Sequence, residues 1–165
     1  MLGIDPGTVR LGYAIIEVGT SARASRARNG ALARMQYVEC GVIKAPDHRD
    51  VAARLYAVAR DLAEVIQEFA PDAFAIEKAF HGKSAASALK LGQARGALML
   101  LAHQHGLPTF EYAPAQVKRA VVGHGAATKA AIAERMKLLF ALRRAPVADA
   151  ADALAIACCH AMHGL

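Results

Sequence analysis

The chain opens on a short apolar run, Leu2, Gly3 and Ile4, that stops at an acid, Asp5, and then turns through Pro6 and Gly7. That pattern predicts a buried strand over 2–4 whose exit is marked by a carboxylate. Apolar and β-branched positions recur over 11–18 and over 35–44, where Tyr37, Val38, Val42 and Ile43 stand out. Their composition and connections predict antiparallel neighbours. From Asp50 the period changes. Val51, Leu55, Val58, Leu62, Val65, Ile66 and Phe69 fall at helical spacing until Pro71 and Asp72 stop them. Residues 73–77 then form a short buried strand ending in Glu77, and 109–112 another. Helical patterns cover 84–103, with Ser84 as N-cap, then 114–122, 128–139 and a last stretch from Pro146 to about Met162. One α/β domain over 1–165 accounts for this order: a mixed five-stranded sheet flanked by helices, parallel where helices alternate with short buried strands.

Length and charge narrow the class. A chain of 165 residues suits one domain and can bury a core without metal or disulfide staples. With 55% hydrophobic and 21% charged residues it is not an intrinsically disordered chain. Apolar runs such as 97–102, which ends at His103, fall far short of a membrane span, so no membrane partner is expected. The first residues carry no basic leader, and the expected location is the cytoplasm. Cys40, Cys158 and Cys159 show no CxxC spacing. The run from Cys158 through His160 to His163 reads better as the end of an apolar helix with buried thiols than as a zinc site. A net charge of +6 favours a polyanionic partner. Arg23, Arg26, Arg28 and Arg34 concentrate in 21–34, which reads equally as a solvated loop or as an arm touching phosphates.

The placement of the few acids is more informative. Asp5 and Glu77 each end an otherwise apolar strand, while Asp149 and Asp152 sit three apart at the start of an Ala-, Leu- and Ile-rich helix. Taken singly, each has a structural explanation: a turn acid at Asp5, an N-cap or first-turn acid at Asp149 and Asp152. Glu77 has no such local explanation. Carboxylates at the ends of buried strands are costly unless paired or bound to a cation. Ligands of open α/β sheets gather at those ends. Four converging acids would make a hard oxygen site for Mg²⁺ or Mn²⁺. Two such ions about 4 Å apart could clamp the attacking and leaving oxygens of a phosphodiester. Lys118 and Lys129 flank a Gly123-His124-Gly125 loop that could let backbone approach a phosphate, although from spacing alone they are as readily ordinary surface lysines.

The segments GIDPGTVRLGYAII, AIEKAF, ALKLGQARG, EYAPAQVKRAVVGHGAATK and ADAADALAIA, in that order, closely resemble the RuvC family of Holliday-junction resolvases. The resemblance spans nearly the whole chain and departs mainly in the longer 21–34 insertion. It implies an RNase H-like fold, a homodimer, and magnesium-dependent, symmetrical nicking of four-way DNA junctions. By position Asp5, Glu77, Asp149 and Asp152 match the catalytic acids of that family, which the metal reading gives two ions per site. The family context also puts Lys118 and Lys129 near scissile DNA, and suggests a branch-migration motor complex as a partner. Lys83, Lys90 and Arg95, around the 84–103 helix, are weaker candidates for phosphate contact. Phe80, three residues past Glu77, either caps the core or stacks on a base of an opened junction. Gly92 and Gly96 in the same helix call for a close-packing reason, against the sheet or across a dimer seam.

Other classes compete. An actin- or sugar-kinase-like ATPase shares the Asp-x-Gly-Thr turn but needs a second lobe. A binding module that does not cut leaves four acids repelling phosphates, and with no Trp the chain is poor in stacking platforms. A third option is an RNase H-like nuclease acting on another structured nucleic acid.

Overall fold

The computed structural model describes residues 1–19, 35–47, 50–78 and 84–163. Strands β1 (Leu2–Asp5), β2 (Arg10–Val18), β3 (Met35–Lys44), β4 (Phe74–Glu77) and β5 (Thr109–Tyr112) form one sheet in the order β3-β2-β1-β4-β5. The pairs β1–β2 and β2–β3 are antiparallel, while β1–β4 and β4–β5 are parallel. This is the mixed sheet that the polarity pattern predicts, with a bulge in the β2–β3 ladder at Ile15 and Ile16.

Among the described residues, five helices flank the sheet: α1 (Val51–Phe69), α2 (Ala85–Gln104), α3 (Pro114–Val122), α4 (Lys129–Leu139) and α5 (Ala148–His163). Their starts follow local chemistry. The Asp50 carboxylate accepts from the N–H groups of Ala52 and Ala53, Ser84 Oγ from Ser87, and Thr128 Oγ1 from Ala131, while Pro114 opens α3 where no amide donor is needed. The two cores lie on opposite faces. Leu2, Ile4, Leu11, Ile15, Phe74 and Ile76 pack with Val58, Leu62 and Ile66 of α1 and Leu98 and Ala102 of α2. Ala14, Ile16 and Ala75 pack with α3, α4 and α5 on the other side.

Helix α5 is the element that fixes the site. Almost every residue from Ala150 to Ala161 is buried, as expected for a helix sandwiched between the sheet and two outer helices. Its many alanines let it lie close to β1 and β2, and glycines complete the approach. A Cβ on Gly3 would fall 2.3 Å from the Ala153 carbonyl oxygen, and one on Gly12 would fall 2.0 Å from that of Asp149. At the far end of α5, Cys158 and Cys159 are buried free thiols. His160 Nδ1 lies 2.7 Å from the Tyr112 hydroxyl, and burial holds its imidazole below the usual range. That end is core, in line with the reading of a buried helix terminus.

Candidate active site

Strands β1 and β4 run parallel, with Ile4 opposite Ile76. Asp5 and Glu77 are the next residue of each strand, so two carboxylates leave the sheet together at its carboxyl edge. The close approach of α5 brings its first turns over the same edge, and with them Asp149 and Asp152. Asp5, Glu77 and Asp152 line a cleft of about 180 Å³ together with Lys118 of α3 and Lys129 of α4. Three acids and both lysines singled out in the sequence therefore share one cleft, supplied by five separate elements. Asp149 does not line it. It sits one turn away, where its Oδ2 accepts from Arg10 Nε at 2.6 Å.

The electrostatics follow from this crowding. The Asp5 carboxyl is pushed up to about 7, first by burial, then by the neighbouring charges of Glu77 and Asp152, with Lys129 opposing and Asp149 adding a little. Burial and Asp152 also raise Glu77, against the pull of Lys129, Lys118 and Arg95. Asp152 is paired with Lys129 Nζ at 2.8 Å, and that hydrogen bond raises the lysine. Two of the four carboxylates thus have a protein cation directly on them, whereas among the described residues neither Asp5 nor Glu77 has a cation paired with its carboxylate. Among the described residues, no three acid, Cys or His side chains already converge closely enough to hold an ion. The donor set nevertheless suits a hard divalent cation. It is all carboxylate, and the repulsion at Asp5, which Lys129 only partly offsets, is one that a cation would relieve.

The remaining sequence candidates fall elsewhere. Lys90 is exposed on α2 and does not line the cleft. Arg95 was expected at phosphate, yet its side chain is only 14% exposed and is occupied within the fold. Its Nε donates to the Glu77 carbonyl and its Nη2 to Glu111. The cause is its position on α2, facing the ends of β4 and β5. Phe80 and Lys83, like the 21–34 insertion, lie outside the described residues. Sequence reasoning missed Arg10 entirely. Its only signal is a cation opening an otherwise apolar strand, and its partner is 139 residues away.

A family model described as crossover junction endodeoxyribonuclease RuvC matches residues 1–160. The chain belongs to the RuvC family of crossover junction endodeoxyribonucleases. A RuvC from Geobacter metallireducens is 45% identical over 98% of this chain and 91% of its own length. One from Rhodopseudomonas palustris is 44% identical over 99% and 87%. Among solved structures, Thermus thermophilus RuvC in complex with Holliday junction substrate is similar with a TM-score of 0.84 and 32% identity, covering 99% of this chain and 93% of that one. The yeast mitochondrial Holliday junction resolvase, at 12% identity and a TM-score of 0.59, shares the fold. The RuvC match makes the RNase H-like architecture of the sheet and its helices that of the family.

Proposed function

We propose that this chain resolves four-way DNA junctions by paired, symmetrical nicks, hydrolysing one phosphodiester at the Asp5–Glu77–Asp152 cleft of each subunit. The observation that carries the reading is the grouping of carboxylates from β1, β4 and α5 in one cleft beside two lysines, with Asp5 raised by burial and by its acidic neighbours against the partial opposition of Lys129. Asp5, Glu77, Asp149 and Asp152 would hold Mg²⁺ or Mn²⁺, two ions per site, which when bound would acidify water and offset charge on the phosphate oxygens. Lys118 and Lys129 stand where an incoming phosphate meets the acids. Lys129 neutralises Asp152 until then and is placed to donate to a phosphate oxygen. Arg10 does the equivalent for Asp149. Incubation with an end-labelled synthetic four-way junction tests the reading. Nicks should appear in two opposed strands with Mg²⁺, none should appear with chelator, and a linear duplex of the same sequence should survive. Equal cutting of the duplex would overturn it.

Phosphate attraction has its own signature. Junction affinity is expected to fall about 10³-fold between 50 and 200 mM salt if several phosphates are neutralised. Lys118→Ala and Lys129→Ala should damage cleavage more than binding. A flat salt titration would contradict phosphate contact as the main attraction.

Pairing of nicks calls for two sites, and we propose a twofold homodimer through α2. Among the described residues, Gly92 and Gly96 have open space where a Cβ would project, so no described neighbour explains glycine in a helix interior. Leu89 and Leu100, 66% and 58% exposed, extend the same stripe. Expected packing of these glycines against the chain's own sheet is therefore not what the fold uses; Ala94, Leu98 and Ala102 do that. Gly96→Leu should convert a sedimenting dimer to monomer and separate the two nicks in time. A monomeric wild type that still nicks both strands in concert would end the idea. The motor complex that the family suggests would engage this dimer on its junction.

A further inference from the structure

We propose that Arg95 is a positioning residue for Glu77, holding the strand end that carries this acid, and that it does not contact DNA phosphate. The proposal rests on the assignment of Glu77 to the site above. Strand β4 is only four residues long, Glu77 is its last, and the pairing of β1 with β4 ends one residue earlier, at Ile76. Beyond that last pair, the strand end is held by β5, through the Lys78 N–H bond to the Tyr112 carbonyl at 2.9 Å, and by Arg95. The Arg95 Nε donates to the Glu77 carbonyl oxygen at 3.0 Å. Its Nη2 donates to the Glu111 carboxylate and touches Met99 Sδ at 3.9 Å.

Glu111 lies on β5, opposite Ile76 in register. One guanidinium thus straddles the carboxyl ends of β4 and β5 and ties both to α2. A guanidinium removed this far from water is tolerable only where its fork is satisfied, and the planar fork suits two acceptors in fixed directions. Exposed Lys90 on the same helix is what an uncommitted cation looks like here. Because the carboxylate position at the cleft depends on the main chain one atom group away, small movements at Arg95 are transmitted to the group proposed to bind metal.

The test uses the full chain with Arg95→Met, Arg95→Lys and Glu111→Gln. Junction binding is measured in chelator across a salt series, Mn²⁺ affinity by the electron spin resonance signal of the free ion, and single-turnover cleavage with Mg²⁺. Arg95→Met should weaken Mn²⁺ binding about tenfold and slow cleavage about 100-fold. Junction affinity should stay within about twofold with an unchanged salt slope. Arg95→Lys should recover part of both losses, since an ammonium reaches the carbonyl but cannot fork. Weakened junction binding with the salt slope reduced by about one would make Arg95 a phosphate contact and overturn the proposal. So would a lower melting temperature with Mn²⁺ affinity and cleavage unchanged. If Arg95→Met does not fold, Glu111→Gln decides: it should lower Mn²⁺ affinity and cleavage in parallel, and wild-type values for both refute the role. Glu77→Gln is run beside them. Wild-type cleavage there removes the assignment of Glu77 itself, a failure distinct from any at Arg95.

Discussion

Replacing Asp5 by Asn is expected to abolish junction cleavage and, in metal-free protein at pH 8, to raise the melting temperature. Both effects have one origin. Burial and the charges of Glu77 and Asp152 push the Asp5 carboxyl from 3.8 to about 7. Between those values the folded chain holds a proton that the unfolded chain has released. Stability therefore declines as pH rises through this window, and the deficit is complete above pH 7. A shift of this size corresponds to at most about 4 kcal/mol. Part of it is shared with Glu77 and Asp152, so about 2 kcal/mol is a fairer figure for Asp5 alone. In a chain of this length that is about 5 °C at pH 8, shrinking toward nothing near pH 4. Excess Mg²⁺ should reverse the order, stabilising the wild type above Asp5→Asn, because only the carboxylate gains from a cation. Thermal melts from pH 4 to 8 with and without Mg²⁺, beside a junction cleavage assay, read all of this. A variant less stable than wild type at pH 8, or one cutting within tenfold of it, would defeat the assignment.

Asp5 and Glu77 were legible in the sequence for the same reason they are destabilising. An acid closing an apolar run has no local excuse, and a strand end at a sheet edge is where charge becomes useful. The order of strands was legible too, since alternation over 11–18 and 35–44 gave way to short buried runs separated by helical periods. What the sequence withheld was pairing at long range. Arg10 meets Asp149 across 139 residues, and Arg95 meets Glu77 across 18, so neither partner is visible in any local window. Arg95 and Lys90 read alike on a helix of weak amphipathicity. Only the tertiary placement of α2 separates the cation buried at β4 and β5 from the one in water. Spacing puts Asp149 and Asp152 on one face of a helix, yet only Asp152 lines the cleft, while the Asp149 carboxylate is paired with Arg10 of β2 and its main chain lies against Gly12.

That contact with Gly12 sets up the second large effect. Gly12→Ala is expected to destabilise the protein by about 3 kcal/mol and to lower cleavage even where the variant is fully folded. Glycine within a strand usually marks a close backbone approach, and here the approach is from α5. The added methyl would stand 2.0 Å from the Asp149 carbonyl oxygen and 3.3 Å from the Ala150 nitrogen, both backbone atoms that no rotamer change can move aside. Overpacking of a core commonly costs about 1–3 kcal/mol, and rigid main chain on both sides puts this site at the upper end. Relief requires the first turn of α5 to lift from β2, carrying Asp149 and Asp152 away from Asp5 and Glu77. The activity loss should therefore exceed what the unfolded fraction explains, and excess Mn²⁺ should restore only part of it. Leu11→Val is a fitting control, because Leu11 is equally buried on β2 but packs against the opposite core. It should lose about 1 kcal/mol while keeping its cleavage rate at low temperature. Denaturant melts and single-turnover cleavage at 20 °C separate the two variants. If Gly12→Ala cleaves like Leu11→Val once both are folded, the seating of α5 against β2 does not set the spacing of the acids.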